Sequence, residues 1–455
     1  MNVPELRSWV SDHRAEMLDD LAAFVGIETP STDRRLLEDG LAWLDELLRE
    51  RLGAPAVSRT VEGGEHGDVR LNDYPARLPP AGSGDTGGPG GQGGRCGPGG
   101  RRADGAPAAG SASGAPSGTA SGTARPVLLL CHYDTVWPAG TLADWPFRVD
   151  GDRATGPGVF DMKAGLVQAV WALRALDAAG LARPPVRLLL NGDEELGSPF
   201  SRPVIEEEAR RSSVALVFEA SADGALKTER KGVGVFGVEI SGVEAHSGLD
   251  PEKGVSAVDE LARAVLALHR LTDLAAGTSV NVGTVTGGTR ANVVAGSARA
   301  VVDVRVRTRQ EAARIDAALA ALRPHDSRAS LRVTGGWNRP VMERSPATAS
   351  LFAMARELAA QMGVELRECS VGGASDGNFA AAAGTPVLDG FGAVGDGAHS
   401  RREHISIEGM VERTALAAAL IHTLATRLPS PDPEHRPPPV THQSAPPPPF
   451  LRRHP

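Results

Sequence analysis

The sequence predicts an α/β fold: a discontinuous, doubly wound, mostly parallel-sheet domain with a ferredoxin-like domain inserted into it. Between residues 127 and 218, uninterrupted apolar strands alternate with helical stretches, the pattern of a parallel sheet covered on both faces. Past Lys231 the order becomes β-α-β-β-α-β, the split arrangement of a compact insert. From residue 347 strand and helix alternate again, so the first domain resumes.

Taken in order, helical spacing of apolar residues covers 6–25 and 36–52, the second with Leu37, Leu41, Leu44, Leu47 and Leu48 on one side and Gly53 to stop it. Short strands follow near Val57 and Val69. Residues 79–125 are Gly, Pro, Ser and Ala with almost no large apolar side chain, and are expected to form a disordered insertion because they cannot bury enough surface to order themselves. Next come a strand at 127–131, a helix at 163–179, a strand at 186–191, a helical stretch at 203–210 and a strand at 214–218. The insert reads as strands 234–240, 279–285, 298–306 and 329–333 around helices 255–271 and 310–322. A helix at 347–362, a strand near Leu366, a helix after Asp376, a strand at 386–388 and a helix at 406–424 complete the first domain. The Pro-rich residues 429–455 are expected to be a disordered tail. The expected boundaries are therefore 1–229 with 337–428 for the first domain and 230–336 for the insert.

A chain of 455 residues is too long for one core, and its net charge of -8 carries no basic surplus. Nucleic acid and anionic membrane are excluded as main partners on that ground, leaving small molecules. Glu5, Arg7, Asp12, Arg14, Glu16, Asp19 and Asp20 interrupt the first apolar stretch, unlike the h-region of a signal peptide, and no later segment reaches membrane-spanning length. Cys96, Cys131 and Cys369 are too scattered for a disulfide framework. A cytoplasmic protein is expected.

The chemistry sits at strand ends. His132, Asp161, Glu195, Glu219 and His399 are two imidazoles and three carboxylates, each at a strand end or adjoining turn, a ligand set suited to a pair of divalent ions and hence to metal-assisted hydrolysis. Asp134 stands two residues after His132, on the same side, placed to accept the ring's other N–H. Asp161 opens an amphipathic helix and by itself reads more readily as its N-terminal cap than as a ligand. Asp193-Glu194-Glu195 leaves a buried strand as three consecutive carboxylates, which repel one another unless cations lie nearby. Glu195 is assigned as ligand and Glu194 as general base, since a base must lie near the reacting water without being tied to metal.

These residues resemble the dinuclear zinc exopeptidases and deacylases: glutamate carboxypeptidase, acetylornithine deacetylase, succinyl-diaminopimelate desuccinylase and the aminoacylases. The resemblance is carried by His132-Tyr-Asp-Thr-Val-Trp-Pro138, Gly158-Val-Phe-Asp-Met-Lys-Ala-Gly165, Asp193-Glu-Glu-Leu-Gly-Ser198, Phe218-Glu219, Ala245-His-Ser-Gly248, Gly372-Gly-Ala-Ser-Asp376 and Ala398-His-Ser400. It implies two Zn2+ ions, or Co2+ or Mn2+, one among His132, Asp161 and Glu219 and the other among Asp161, Glu195 and His399. It implies further that Glu194 is the base, that Asp134 backs His132, and that the insert is a lid through which the chain forms a homodimer. His246 corresponds to the lid histidine that steadies the oxyanion of a neighbouring subunit's site.

The glutamate carboxypeptidase branch is the nearest, through Arg230-Lys-Gly232 and Asp376-Gly-Asn-Phe379. By that resemblance Asn292, Arg305, Arg339 and Gly373 would bind the substrate, with arginine suited to bidentate capture of a carboxylate. The expected activity is release of a C-terminal, glutamate-like residue from small peptides or N-acyl amino acids. A deacylase of the aminoacylase or acetylornithine type is the first alternative, and a catalytically silent binding homologue the second. Cys131 departs from the family, which usually has Gly before the histidine, and raises the question of redox sensitivity beside the metals.

Overall fold

The computed structural model describes residues 3–78 and 124–427. The expected insertion up to residue 123 and the expected tail lie outside them. The central sheet has six strands in the order Val57–Val61, Gly67–Tyr74, Val186–Gly192, Val127–His132, Val214–Val217 and Val387–Leu388. The last four run parallel to one another, and Gly67–Tyr74 alone runs against both of its neighbours, so the sheet is mixed but mostly parallel where it matters for the site.

Register sets the site. His132 pairs with Asn191 and Leu130 with Val217, so three neighbouring strands finish level with one another at their carboxyl ends. Ligand sites of open α/β sheets gather at that edge. The strand Val127–His132 is buried throughout because both faces are covered. Leu129 packs into the cluster with Leu166, Val170 and Leu173, whereas Leu128 and Leu130 face Ile205 and Phe379 on the other side. Each leucine so buried contributes about 2 kcal/mol.

The helix Ala164–Ala178 lies against this sheet and the last helix, Ile407–Arg427, which is why it is apolar almost all round. Its second residue is Gly165, where a Cβ would stand 1.9 Å from the Phe218 carbonyl oxygen. A larger residue there would push the helix off the strand that delivers Glu219. The expected helix 6–25 is two helices, Val3–Asp12 and Arg14–Val25. His13 divides them: its ring stacks on Trp9 at 3.9 Å and its Nδ1 lies 2.7 Å from the Trp9 carbonyl oxygen, competing with the backbone amide for that acceptor.

A second sheet is antiparallel throughout, in the order Ser279–Gly287, Ser297–Val306, Gly232–Ser241 and Ser330–Arg339. The helices Ala257–His269 and Arg309–Ala321 close a separate core of Val238, Ile240, Leu261, Val302, Val304 and Ile315. Ser256 and Thr308 cap them by accepting from the amides of Asp259 and Glu311. This is the β-α-β-β-α-β order read from the sequence. The chain enters and leaves it side by side, since Arg230 and Met342 exchange backbone hydrogen bonds of 3.0 and 3.1 Å.

Two further features differ from expectation. The strand expected near Leu366 is Glu368–Val371, and it pairs in parallel with Leu226–Arg230 outside the main sheet. Four short antiparallel strands, Gly395–Asp396, His404–Ser406, Arg153–Thr155 and Arg148–Asp150, form a further sheet. Strands of two or three residues are too short to show any alternation, yet this sheet brings the His399 loop towards the Asp161 loop. Among the described residues, no helix is long and apolar enough to cross a membrane.

Candidate metal centre

His132 ends its strand with Nδ1 facing inward, 3.0 Å from the Asp134 carbonyl oxygen and 3.3 Å from Asp134 Oδ1. Its Nε2 therefore points out of the sheet, 3.4 Å from Asp161 Oδ1 and 3.5 Å from Glu219 Oε1. His399 Nε2 lies 3.2 Å from Asp161 Oδ2 and 3.2 Å from Glu195 Oε2. Asp161 thus gives one oxygen to each half of the cluster. His132 Nε2 and Glu195 Oε1 are buried without a hydrogen-bond partner. Donor atoms that converge but do not bond one another suit a shared cation, and imidazole with carboxylate is a borderline-metal donor set. Glu194 also belongs here: one donor atom each from His132, Glu194 and Glu219 lie within 4.8 Å of one another.

Asp134 is completely buried and holds more than His132. It accepts from Ser31 Oγ at 2.8 Å and from the backbone amides of Glu194 and Glu195 at 3.3 and 3.2 Å. One carboxylate therefore sets both the first imidazole and the double-glutamate turn. Asp193 points away into the interior, accepting from the amides of Phe200 and Ser201 at 2.8 and 3.2 Å. This divides the three consecutive carboxylates: the first closes the turn, and the other two face the cluster. Gly158 starts the Asp161 loop at φ 72°, and a Cβ there would come within 2.6 Å of Thr135 Cγ2. His399 has φ 59°, uncommon for a residue with a side chain, and is half exposed.

Burial pushes the Glu194 carboxyl well above the usual range, with Arg339 opposing. Burial raises Glu195 to about 7, against the neighbouring His399 imidazole. For His132 burial favours the neutral ring, but Asp134, Asp161 and Glu219 outweigh it and hold the imidazole well above its ordinary value. The adjacent carboxylates of Asp161 and Glu195 lift His399 to about 11. The cluster holds more negative charge than its surroundings compensate, so it recruits protons, and divalent cations would satisfy the same oxygens.

The remaining expected residues fare differently. Arg339, expected as a substrate clamp, is buried and already engaged: Nη2 donates to Glu194 Oε1 at 2.8 Å, Nη1 lies 3.1 Å from Asp376 Oδ1, and the guanidinium covers the Phe379 ring at 4.5 Å. It reaches this place because it ends the last strand of the second sheet. Arg305 is paired with Asp303 at 2.9 Å, the Asn292 carbonyl accepts from the Ser247 amide at 3.1 Å, and the Gly373 carbonyl accepts from Arg230 at 3.2 Å. None of these three bonds goes to the cluster. His246 is exposed on the second sheet's side, where its Nδ1 accepts from the amides of Gly248 and Leu249 at 3.1 and 3.2 Å. That places the ring proton on Nε2 of the neutral imidazole.

Three residues escaped the sequence reading. Ser31 supports Asp134, and Glu403 is buried behind Asp161. Lys227 is nine-tenths buried and its ammonium forms no ion pair among the described residues; burial and the neighbouring Arg230 push its pKa down, opposed by Asp389 and, more weakly, by Glu219 and Asp161. No signal marked any of the three: Lys227 shares the strand Leu226–Arg230 with Glu229 and Arg230, so its charge alone did not single it out.

An imidazole and carboxylates repeated on either side of one aspartate, at the carboxyl edge of a mostly parallel sheet, suit a metal-dependent hydrolase. Residues 128–423 match the family described as Peptidase family M20/M25/M40, and the chain belongs to it. It is a hydrolase of the metallopeptidase class. Carboxypeptidase G2 of Pseudomonas sp. (strain RS-16) is 33% identical over 311 residues, covering 66% of this chain and 74% of that protein. Among solved structures, a tripeptidase from Staphylococcus aureus aligns with TM-score 0.66 at 17% identity, over 91% of this chain and 99% of its own. A dinuclear metal binding peptidase of the M20 family from Bacillus subtilis aligns with TM-score 0.61 at 12% identity, over 92% and 99%. These two share the fold.

Proposed function

We propose that the protein is a cytoplasmic dizinc hydrolase that cleaves an amide bond to release a C-terminal, glutamate-like amino acid from small peptides or N-acyl amino acids. The observation that carries this reading is the pair of imidazole Nε2 atoms on either side of Asp161, each within 3.2–3.5 Å of two carboxylate oxygens. His132, Asp161 and Glu219 would hold one ion, and Asp161, Glu195 and His399 the other. Zn2+ suits these donors best, with Co2+ or Mn2+ as substitutes. Ions held there supply Lewis acidity and make a water molecule more acidic.

Glu194 receives the proton of the attacking water and returns it to the leaving amine. It is suited to this because Arg339 fixes one of its oxygens, leaving the other to exchange protons. His246, with its proton on Nε2, is a donor for the oxyanion, delivered by a second subunit through the 230–336 domain acting as lid and dimer contact. For the substrate carboxylate, the engagement of Arg339 favours Lys227 as the anchoring cation beside the cluster, with Asn292, Arg305 and Gly373 approaching when the lid closes.

Replacing Glu194 with Ala tests the reading. Metal content should stay unchanged while turnover of acyl-glutamates falls about 10²–10⁴-fold. An undiminished rate would remove Glu194 from the reaction. A panel of acyl-glutamates, dipeptides and acetyl-amino acids assigns the substrate class, and preference for acetyl-amino acids with varied side chains would replace the carboxypeptidase reading by the deacylase one.

A further inference from the structure

We propose that Glu403 is a positioning residue that sets the bridging geometry of Asp161, an inference that rests on the metal-centre reading above. Glu403 is completely buried. Its Oε1 accepts from the backbone amides of Phe160 and Asp161 at 2.9 and 3.0 Å. Its Oε2 accepts from the amide of Gly158 at 3.1 Å and from Trp137 Nε1 at 3.0 Å. All four partners are N–H donors, and among the described residues no lysine or arginine side chain hydrogen-bonds to this carboxylate.

The placement explains what those bonds do. Glu403 follows His399 by four residues, in a turn closed by the bond from its own amide to the Ser400 carbonyl at 2.9 Å. The next residues, His404–Ser406, pair with Arg153–Thr155, just ahead of the Gly158–Asp161 loop. Trp137 belongs to the segment that follows His132. One carboxylate therefore ties together the three chain segments that carry His132, Asp161 and His399. Both oxygens of Asp161 are directed at an imidazole, so a small rotation of its backbone displaces the donors of both halves at once. A carboxylate of this kind shapes the loop by accepting, and an amide in its place would turn an NH2 group towards two of the four donors.

The test uses the full chain with Glu403→Gln and Glu403→Asp, the second keeping the charge but shortening the reach. Co2+ alone is the probe, with three readouts: Co2+ affinity and stoichiometry by titration, the visible d–d absorption, and the melting temperature of the metal-free protein. A residue serving only the stability of the fold would lower the melting temperature and leave the spectrum of the folded, metal-loaded fraction unchanged. The expected result is Co2+ binding weakened about ten- to a hundredfold in Glu403→Gln, less in Glu403→Asp, with altered absorption in both. Should the Gln variant fail to fold, the Asp variant decides. Affinity and spectrum equal to the unsubstituted chain in a folded variant overturn the positioning role alone. Failure of the unsubstituted chain to take up two Co2+ ions overturns the metal centre and this inference with it.

Discussion

Replacing Asp134 with Asn changes one atom and tests how the centre is built. Both carboxylate oxygens accept in the native site: Oδ1 faces the Glu194 amide and His132 Nδ1, each at 3.3 Å, while Oδ2 takes Ser31 Oγ at 2.8 Å and the Glu195 amide at 3.2 Å. An asparagine has the same shape but only one acceptor. If its nitrogen takes the Oδ2 position, it confronts the Glu195 amide, although Ser31 can rotate its hydroxyl to compensate. If it takes the Oδ1 position, it confronts both Glu194 and the imidazole. Either orientation leaves at least one buried backbone N–H unsatisfied, at a cost of about 1–3 kcal/mol. Because the amide contacts are long, the lower half of that range applies. The displaced groups are the imidazole proposed to hold metal and the turn carrying Glu194 and Glu195, so metal affinity should fall about ten- to a hundredfold, or ~1.4–2.7 kcal/mol. Competition against a chromophoric chelator measures the affinity, and urea unfolding of the metal-free protein measures the structural part. Metal binding within about twofold of the unsubstituted chain would refute the claim that Asp134 organises the centre.

Arg339→Met removes the positive charge 2.8 Å from Glu194 Oε1. Since that charge opposes the burial that raises the Glu194 pKa, its loss raises the pKa further, and the acid limb of kcat/KM should move to higher pH; a stationary or downward shift contradicts the pairing. Gly165→Ala forces a methyl group to within 1.9 Å of the Phe218 carbonyl oxygen, and thermal unfolding should show a loss of about 1–3 kcal/mol. A melting temperature equal to that of the parent would mean that the helix does not approach the strand so closely. In a Cys96→Ser background, Cys369 should react with a thiol reagent under native conditions, whereas Cys131, buried and with its pKa raised by that burial, should react only after unfolding. Prompt labelling of Cys131 would reopen its redox role.

The strands of the central sheet were legible because continuous apolar runs such as Val127–Cys131 have few other uses, and the insert because its six elements each carry a clear period. What period cannot register is pairing across the chain by segments of two or three residues. That is why the sheet joining His404–Ser406 to Arg153–Thr155 stayed hidden. The cluster was legible for a chemical reason: His132, Asp161, Glu195, Glu219 and His399 are costly residue types to place at the ends of buried strands unless something binds them. Asp134 was legible through its spacing from His132, although its grip on the Glu194–Glu195 turn was not. Arg339 shows the limit most plainly. Its residue type fits a substrate carboxylate and a buried glutamate equally well, and only the course of the strand Ser330–Arg339 brings it to Glu194. Glu403 was invisible because its four donors are three backbone amides and one indole, which no residue pattern encodes.

Metal analysis of the purified chain before and after chelation, with hydrolysis of acyl-glutamates and dipeptides followed in parallel, tests the central claim most directly. Two equivalents of divalent metal per chain are expected, with activity lost on chelation and regained when Zn2+, Co2+ or Mn2+ is restored. Undiminished hydrolysis by metal-free protein would contradict the account.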